Sequence, residues 1–333
     1  MPEPRSLSVG LIGCGLIGRK RAIAAAASGH RIVCAADIEV ARAQAALREA
    51  ASPGPALADW RAVIAARPDV VVVATTHDCL AEIAAQAADA GCHVLVEKPA
   101  GRRAAELEPV IAAARRRGVA VKVGFNHRFH PGVLKAREIV DAGGVGPLMF
   151  VRGRYGHGGR IGYETEWRAD PRVSGGGELL DQGSHLIDLA RWFLGDFADV
   201  RGTLATFFWK IPVDDNCFVT LRTAAGKIAW LHASWTEWKN LFSFEIYGRT
   251  GKLHVEGLGG SYGTERLIHY RMLPQMGPPE MESWEFPGPD RSWETEFAEL
   301  ASAIAERREP IGNLADAKAN LEIVGKLYEG EGG

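Results

Sequence analysis

A run of glycines followed by acid and imidazole groups carries the most chemistry in this chain: Ser174-Gly-Gly-Gly-Glu-Leu-Leu-Asp181-Gln-Gly-Ser-His185-Leu-Ile-Asp188. Read as a glycine-rich lead into a helix, Asp181, His185 and Asp188 at i, i+4 and i+7 form one polar stripe. Leu186, Leu189 and Phe193 form the neighbouring apolar stripe that holds such a helix in place. A polar stripe can simply face water. Three titratable groups behind three successive glycines instead suggest a place where a ligand comes close to the backbone. Imidazole titrates near neutrality, so His185 suits proton transfer. A carboxylate one turn away, Asp181, would orient it and stabilise its charged form. Asp188 reads as structural.

Two further stretches say what that proton transfer would accompany. Val9–Lys20 is an apolar strand running into Gly13-x-Gly15-x-x-Gly18. The first glycine permits a tight turn, the second lets a pyrophosphate approach the backbone, and the third lets the next helix pack on the strand. Leu16 and Ile17 open that helix, whose first N–H groups and positive dipole end would face the phosphates. A second strand ends in Asp37, at the distance expected of an acid that bonds the adenosine ribose. Its carboxylate would repel a 2′-phosphate, and Ile38 follows where a phosphate-binding Arg would be expected, which favours NAD over NADP. The competing reading of Asp37 is a cap for the helix beginning near Val40. Glu97-Lys98-Pro99 also stands at a strand end on the cofactor side. Position alone divides Lys98 evenly between a surface lysine and an ammonium aimed at nicotinamide and substrate. Pro99 suits a cis bond in the sharp turn that would aim it. Oxidising a secondary alcohol sends hydride to nicotinamide and a proton to a base, and a lysine can bond the same hydroxyl.

The elements that must position these groups follow from patterning. From Ser6 to Gly124, short apolar runs alternate with alanine-rich amphipathic segments, which implies an α/β Rossmann domain with a doubly wound parallel sheet. Strands are expected at Ser8–Ile12, Arg31–Ala36, Asp69–Ala74, His93–Glu97 and Ala120–Gly124, with helices including Leu80–Ala90 and Ala104–Arg117. Thr75, Thr76 and His77 stand at a strand end within reach of the cofactor; His77 equally reads as the start of the next helix. After Gly124 the alternation stops. A helix at Val133–Ala142 precedes strands at Met149–Tyr155, Arg201–Trp209, Asn216–Arg222, Lys227–Trp235, Phe242–Tyr247 and Lys252–Glu256, which implies an α+β domain with a mostly antiparallel open sheet. Leu273–Pro289 reads as a long loop, and Trp293–Arg307 and Leu314–Tyr328 as closing helices. The expected domains are therefore 1–124 and 125–333.

Composition narrows the class. The chain has 333 residues, is 47% hydrophobic and 24% charged, and carries a formal net charge of −2, so no global field argues for nucleic acid or anionic membrane. Met1–Leu7 lacks an apolar signal core, and no stretch reaches the roughly eighteen apolar residues of a membrane span, so a cytoplasmic protein is expected. Five cysteines without a C-x-x-C pair read as reduced thiols. His127 and His130 lack a third ligand nearby in sequence, so no metal is expected.

These motifs, in this order and at these distances, resemble the Gfo/Idh/MocA oxidoreductase family, typified by glucose–fructose oxidoreductase and inositol dehydrogenase. The resemblance rests on Gly13-x-Gly15-x-x-Gly18, Glu97-Lys98-Pro99, Arg128, and Gly176-Gly177-x-Leu179-x-Asp181-x-Gly183-x-His185. It implies a Rossmann domain followed by an open-faced sheet, with the active site in the cleft between them. It also implies that Lys98 bonds substrate, that Asp181 and His185 form the acid/base pair, and that Glu97 lies by the cofactor. Asn126, Arg128, Trp167 and Arg168 are the further substrate-binding candidates. A homodimer or homotetramer through the open sheet is implied too. Thr75-Thr76-His77 departs from the proline and asparagine that many relatives carry after the threonine, which bears on local nicotinamide contacts.

The expected activity is NAD-dependent oxidation of a secondary hydroxyl on a sugar, sugar derivative or cyclitol. The alternatives are redox-neutral glycoside cleavage with permanently bound NAD, and non-catalytic NAD sensing. Eight of the nine tryptophans lie after Arg160, and aromatic faces suit the C–H side of a sugar ring. Arg152, Arg154, Arg160, Arg168 and Arg172, interspersed with glycines, would suit a substrate carrying a carboxylate or phosphate, such as a uronic acid or sugar nucleotide. Glu164, Glu166 and Asp170 in the same segment could instead pair with three of them.

Overall fold

A computed structural model describes residues 6–330; Met1–Arg5, which holds most of the segment Met1–Leu7 considered above, and residues 331–333 lie outside the described residues. The chain forms two compact units, Met1–Phe125 with Trp293–Leu321, and Asn126–Ser292 with Glu322–Gly333.

In the first unit, β1 (Ser8–Ile12), α1 (Leu16–Ala27), β2 (Arg31–Ala36), α2 (Val40–Glu49), β3 (Ala56–Leu57), α3 (Trp60–Ala65), β4 (Val70–Val73), α4 (His77–Asp89), β5 (His93–Val96), α5 (Glu108–Arg117) and β6 (Val121–Val123) follow in order. The six strands lie in the order β3-β2-β1-β4-β5-β6, all parallel. β4 is four buried valines in a row, the composition of a strand covered on both faces. Order reverses between β1 and β4, so the carboxyl ends there form the switch point where such sheets take ligands.

The second unit begins with α6 (Pro131–Asp141) and β7 (Leu148–Gly156), then α7 (Pro171–Ser174), a π-helical turn at Leu179–Gly183, and α8 (Ser184–Leu194). After these come β8 (Phe197–Ala205), β9 (Asn216–Thr223), β10 (Ile228–Ser234), β11 (Leu241–Gly248), β12 (Gly251–Glu256), β13 (Glu265–Arg271) and β14 (Glu280–Phe286). The sheet order is β14-β13-β12-β11-β7-β10-β9-β8, antiparallel except where β10 runs parallel to β7. Inward residues alternate with exposed ones along β9, and α8 lies against β7 and β10 on the inward side.

Two expectations for this sheet are corrected. The strand expected at Arg201–Trp209 ends at Ala205, because the Asp215 carboxylate accepts the N–H groups of Phe207, Phe208 and Trp209 at 2.9, 2.9 and 3.1 Å and draws that segment into a turn. The loop expected at Leu273–Pro289 contains β14, an edge strand whose exposed acidic residues hide the usual alternation.

The chain then returns. α9 (Ser292–Glu306) from Trp293 on and the first turns of α10 (Leu314–Gly330), as far as Leu321, belong with the first unit, so the second unit is not the continuous stretch 125–333. Phe297 and Leu300 complete the core around Leu7, Val9, Leu11, Ile32 and Leu95. Two buried cations accompany them, each held by carboxylate. Lys122, with no exposed surface, reaches Glu299 at 2.6 Å. Arg21 of α1, 1% exposed, is gripped between Glu97 and Glu296 and lies over the Trp293 ring at 4.4 Å. Burial works against its charge, but the two carboxylates hold the guanidinium above its ordinary pKa. Gly124 leaves the necessary space: a Cβ there would stand 2.6 Å from Arg21 Nη2. Among the described residues no helix is long and apolar enough to cross a membrane.

Replacing Arg21 with Met should strand two buried carboxylates and cost about 3–5 kcal/mol of stability. Urea unfolding followed by fluorescence would show the lowered midpoint; an unchanged midpoint would mean the pair contributes little.

Candidate active site

The glycine turn after β1 has the shape its spacing predicts. Gly13 has φ +85°, and a Cβ there would lie 2.5 Å from the Ala74 carbonyl oxygen. A Cβ on Gly18 would lie 1.9 Å from the Gly13 carbonyl oxygen, so the third glycine is needed for the helix to close on the turn. Gly15 differs, since its Cβ position has nothing within 4 Å. Gly15 caps α1 without any side-chain hydrogen bond, and Leu16 beside it is 70% exposed. Open space over uncapped N–H groups fits a pyrophosphate. The Asp37 carboxylate accepts from Cys14 N at 2.8 Å and Glu39 N at 2.9 Å. It thus ties the glycine turn to the end of β2 and also closes the local turn before α2, whose N-cap residue is Glu39. Ile38, 91% exposed, offers an apolar surface beside it. These residues fit a dinucleotide.

The other first-unit candidates lie at neighbouring strand ends. Thr76 is the N-cap residue of α4 and donates to Asp78 at 2.6 Å, Thr75 donates to the Thr76 carbonyl, and His77 is buried as the first residue of that helix. Lys98 stands two residues past β5 and is joined to Pro99 by a cis bond, and the turn closes with Ala100 N donating to the Glu97 carbonyl at 2.9 Å. Glu97, expected beside the cofactor, spends its carboxylate on Arg21.

In the second unit, Asp181 and His185 are both buried, 8% and 5% exposed. The simple stripe is corrected here: Leu179–Gly183 is a π turn, so Asp181 precedes α8 in a widened coil and is not one α-helical turn below His185. Arg168 Nε donates to Asp181 Oδ2 at 2.9 Å, and the guanidinium stacks 4.6 Å over Trp167. Burial opposes the Arg168 charge, but Asp181 holds it above its ordinary pKa. His185 stacks on His127 with ring centroids 3.8 Å apart, and Tyr155 stands edge-on to both. Tyr155 also packs against Tyr262, with ring centroids 5.2 Å apart. Sequence reasoning missed Tyr155; its place on the inward alternation of β7, with Val151 and Gly153, was the available signal.

Several substrate candidates are engaged within the protein. Arg128 forms a two-point pair with Asp188 at 2.8 and 2.6 Å, both buried, which agrees with a structural Asp188. Asn126 donates to Ser292 Oγ at 3.0 Å and faces His127 Nδ1 at 3.2 Å. His130 pairs with Glu265 at 2.9 Å. The arginine segment is likewise paired: Arg152 with Glu245, Arg160 with Glu166, Arg168 with Asp181, and Arg172 with Asp170. Arg154 alternates with inward residues of β7 and lies exposed on the outer sheet face. The cluster expected to receive an anion therefore neutralises acids of its own unit. The glycines are corrected as well, because a Cβ on Gly176 would lie 2.2 Å from the Tyr328 hydroxyl and one on Gly177 would lie 2.0 Å from the Asp214 carbonyl oxygen. What comes close to that backbone is the chain itself.

Comparison with known proteins places this arrangement. Levoglucosan dehydrogenase of Pseudarthrobacter phenanthrenivorans is 29% identical over 297 residues, 75% of this chain and 73% of that protein. D-glucoside 3-dehydrogenase of Escherichia coli is 29% identical over 250 residues, 68% of this chain and 70% of that protein. Inositol 2-dehydrogenase of Salmonella typhimurium is 29% identical over 221 residues, and the match spans 65% of this chain but only 61% of that enzyme. A solved structure of levoglucosan dehydrogenase in complex with NADH and levoglucosan superposes with a TM-score of 0.88 at 25% identity, covering 98% of this chain and 97% of that one. Residues 7–125 match the model of the oxidoreductase family with an NAD-binding Rossmann fold, and residues 133–254 match that of the GFO/IDH/MocA C-terminal domain. With both of its domains matched in order, the chain belongs to the Gfo/Idh/MocA family of oxidoreductases.

Proposed function

We propose that the protein is an NAD-dependent dehydrogenase that oxidises a secondary hydroxyl of a neutral sugar or cyclitol. The observation that carries this reading is the buried turn holding Asp181 against Arg168 and, four residues on, His185 stacked on His127. NAD, when bound, supplies the hydride acceptor, and Gly13, Gly15, Gly18 and Asp37 are the residues that would hold it. His185 takes the hydroxyl proton. Asp181 directs the substrate and balances the charge that His185 gains, and Arg168 keeps that carboxylate fixed. Lys98 donates a hydrogen bond to the reacting hydroxyl. The relatives named for levoglucosan, inositol and glucosides support net oxidation over redox-neutral cleavage or cofactor sensing. The internal pairing of the arginines supports a neutral polyol over a uronic acid or sugar nucleotide.

Five free cysteines, four of them buried, support a reducing, cytoplasmic setting. A homo-oligomer through the open sheet is proposed from its outer face. Phe150 stacks on Tyr247, Phe218 on His232, and Ile228 and Trp230 stand exposed among paired charges.

Three measurements test this reading. Purified protein should form NADH with levoglucosan, simple glucosides or inositols, faster than with uronic acids or sugar nucleotides and with little salt dependence; a marked preference for the anionic set at low salt would overturn the neutral assignment. His185→Ala should lower kcat by roughly 10²–10⁴-fold with NAD affinity nearly intact, and Lys98→Ala should do likewise with weaker substrate binding. Near-normal turnover in either variant would remove that residue from the mechanism. Asp37→Ala should weaken NAD by about 10–100-fold, the scale of lost hydrogen bonds to a charged group, and relax discrimination against NADP. An unaltered ratio of kcat/KM for the two cofactors would exclude Asp37 from ribose binding.

A further inference from the structure

The acid/base turn begins with three residues whose N–H groups all point at one aspartate from elsewhere in the chain. Asp214 accepts from Gly177 N at 3.1 Å through Oδ1, from Leu179 N at 2.8 Å through Oδ2, and from Glu178 N at 2.8 Å through its own carbonyl. These are the donors that the start of a helical run leaves unmet, usually satisfied by a local cap. Here no side chain caps the π turn locally, and the cap comes from the lead into β9. Tyr328 of α10 completes it, its hydroxyl donating to Asp214 Oδ1 at 2.8 Å and accepting from Gly177 N at 3.0 Å. Asp214 is 7% exposed, and burial beside that carboxylate keeps the phenol neutral and able to donate. Gly176 and Gly177 let both partners approach closer than any side chain would permit. Gly177 then passes the restraint on, because its carbonyl accepts from Asp181 N at 3.0 Å.

We propose that Tyr328 and Asp214 are positioning residues for the reaction: they clamp residues 177–179 and thereby fix where the π turn presents Asp181 and how α8 presents His185. Three successive glycines would otherwise leave this lead-in free to sample many conformations. Neither residue touches substrate. The proposal rests on the reading of Asp181 and His185 as the acid/base pair.

Tyr328→Phe removes one oxygen and both of its hydrogen bonds. We expect kcat to fall about 10–100-fold, the scale of a misplaced reacting group, with NAD affinity within about twofold of the parent protein. Hydrogen exchange at residues 177–181 should quicken while exchange in α5 and β4 stays the same. Asp214→Asn should act in the same direction and more strongly, and if it fails to fold, Tyr328→Phe carries the test alone. A normal kcat in Tyr328→Phe overturns the clamp whatever the exchange shows, as does unaltered exchange at 177–181. His185→Ala separates the two levels. If it is inactive while Tyr328→Phe is normal, only the clamp fails; if His185→Ala turns over normally, the acid/base reading falls and the clamp's purpose falls with it.

Discussion

A single guanidinium organises the first unit. Arg21 is brought by the helix that would face the dinucleotide, Glu97 by the strand end that carries Lys98, and Glu296 by a helix that enters the chain nearly two hundred residues later. A buried charge tolerates few arrangements, since each ion must find its partner at hydrogen-bond distance or remain unsolvated. Apolar side chains of the same volume could fill the space, yet they would accept sliding between α1, β5 and α9 that a fork of directed donors does not. The glycine at position 124 shows how little slack exists, as even a methyl group there would press on the guanidinium. In the Glu-Lys-Pro motif, then, the glutamate acts as the anchor of the strand end that carries Lys98.

The sequence made the local features legible and left the distant pairings hidden. The glycine turn, Asp37, the run of valines in β4 and the change of pattern after Gly124 each announce themselves within a dozen residues, and the structure follows them closely. Asp181 and His185 were found by residue type and by family resemblance, but an assumed α-helical period drew them onto one stripe. A π turn carries no periodic signal, because it arises when one residue is inserted into an otherwise regular coil. Asp214 and Tyr328 were invisible for a different reason: their role is defined by the backbone N–H groups they reach, and those groups are the same in every sequence. Glu296 and Lys122 were hidden by distance, since their partner side chains lie far along the chain. The strand β14 was missed because its acidic edge obscures alternation.

Charge is distributed in the second unit so that cations are consumed where they stand. Arg152, Arg160, Arg168 and Arg172 each hold an acid, and Arg128 holds Asp188. Glu166 and Asp170 pair within the segment as its sequence allowed, and the remaining excess is met by acids from outside it, Glu245 of β11 and Asp181 of the π turn. What remains near Asp181 is a set of rings, His157, Tyr155 and Tyr163, around a carboxylate that Arg168 holds in place. Such surroundings suit hydroxyl groups, which can both donate and accept, better than a ligand that brings a full charge of its own.

The late return of residues 293–321 to the first unit has a consequence for biosynthesis. Made from the N-terminus, the parallel sheet leaves the ribosome with Arg21 holding only Glu97 of its two acids, with Glu299 not yet there for Lys122, and with part of its core, Phe297 and Leu300, still to come. At ordinary elongation speeds the intervening segment takes on the order of ten seconds or more to emerge. Through that interval the nascent sheet exposes the seat of α9, an apolar surface with an unmatched cation beneath it. The first unit therefore closes its core only once residues 293–321 have been made, well after its sheet has emerged.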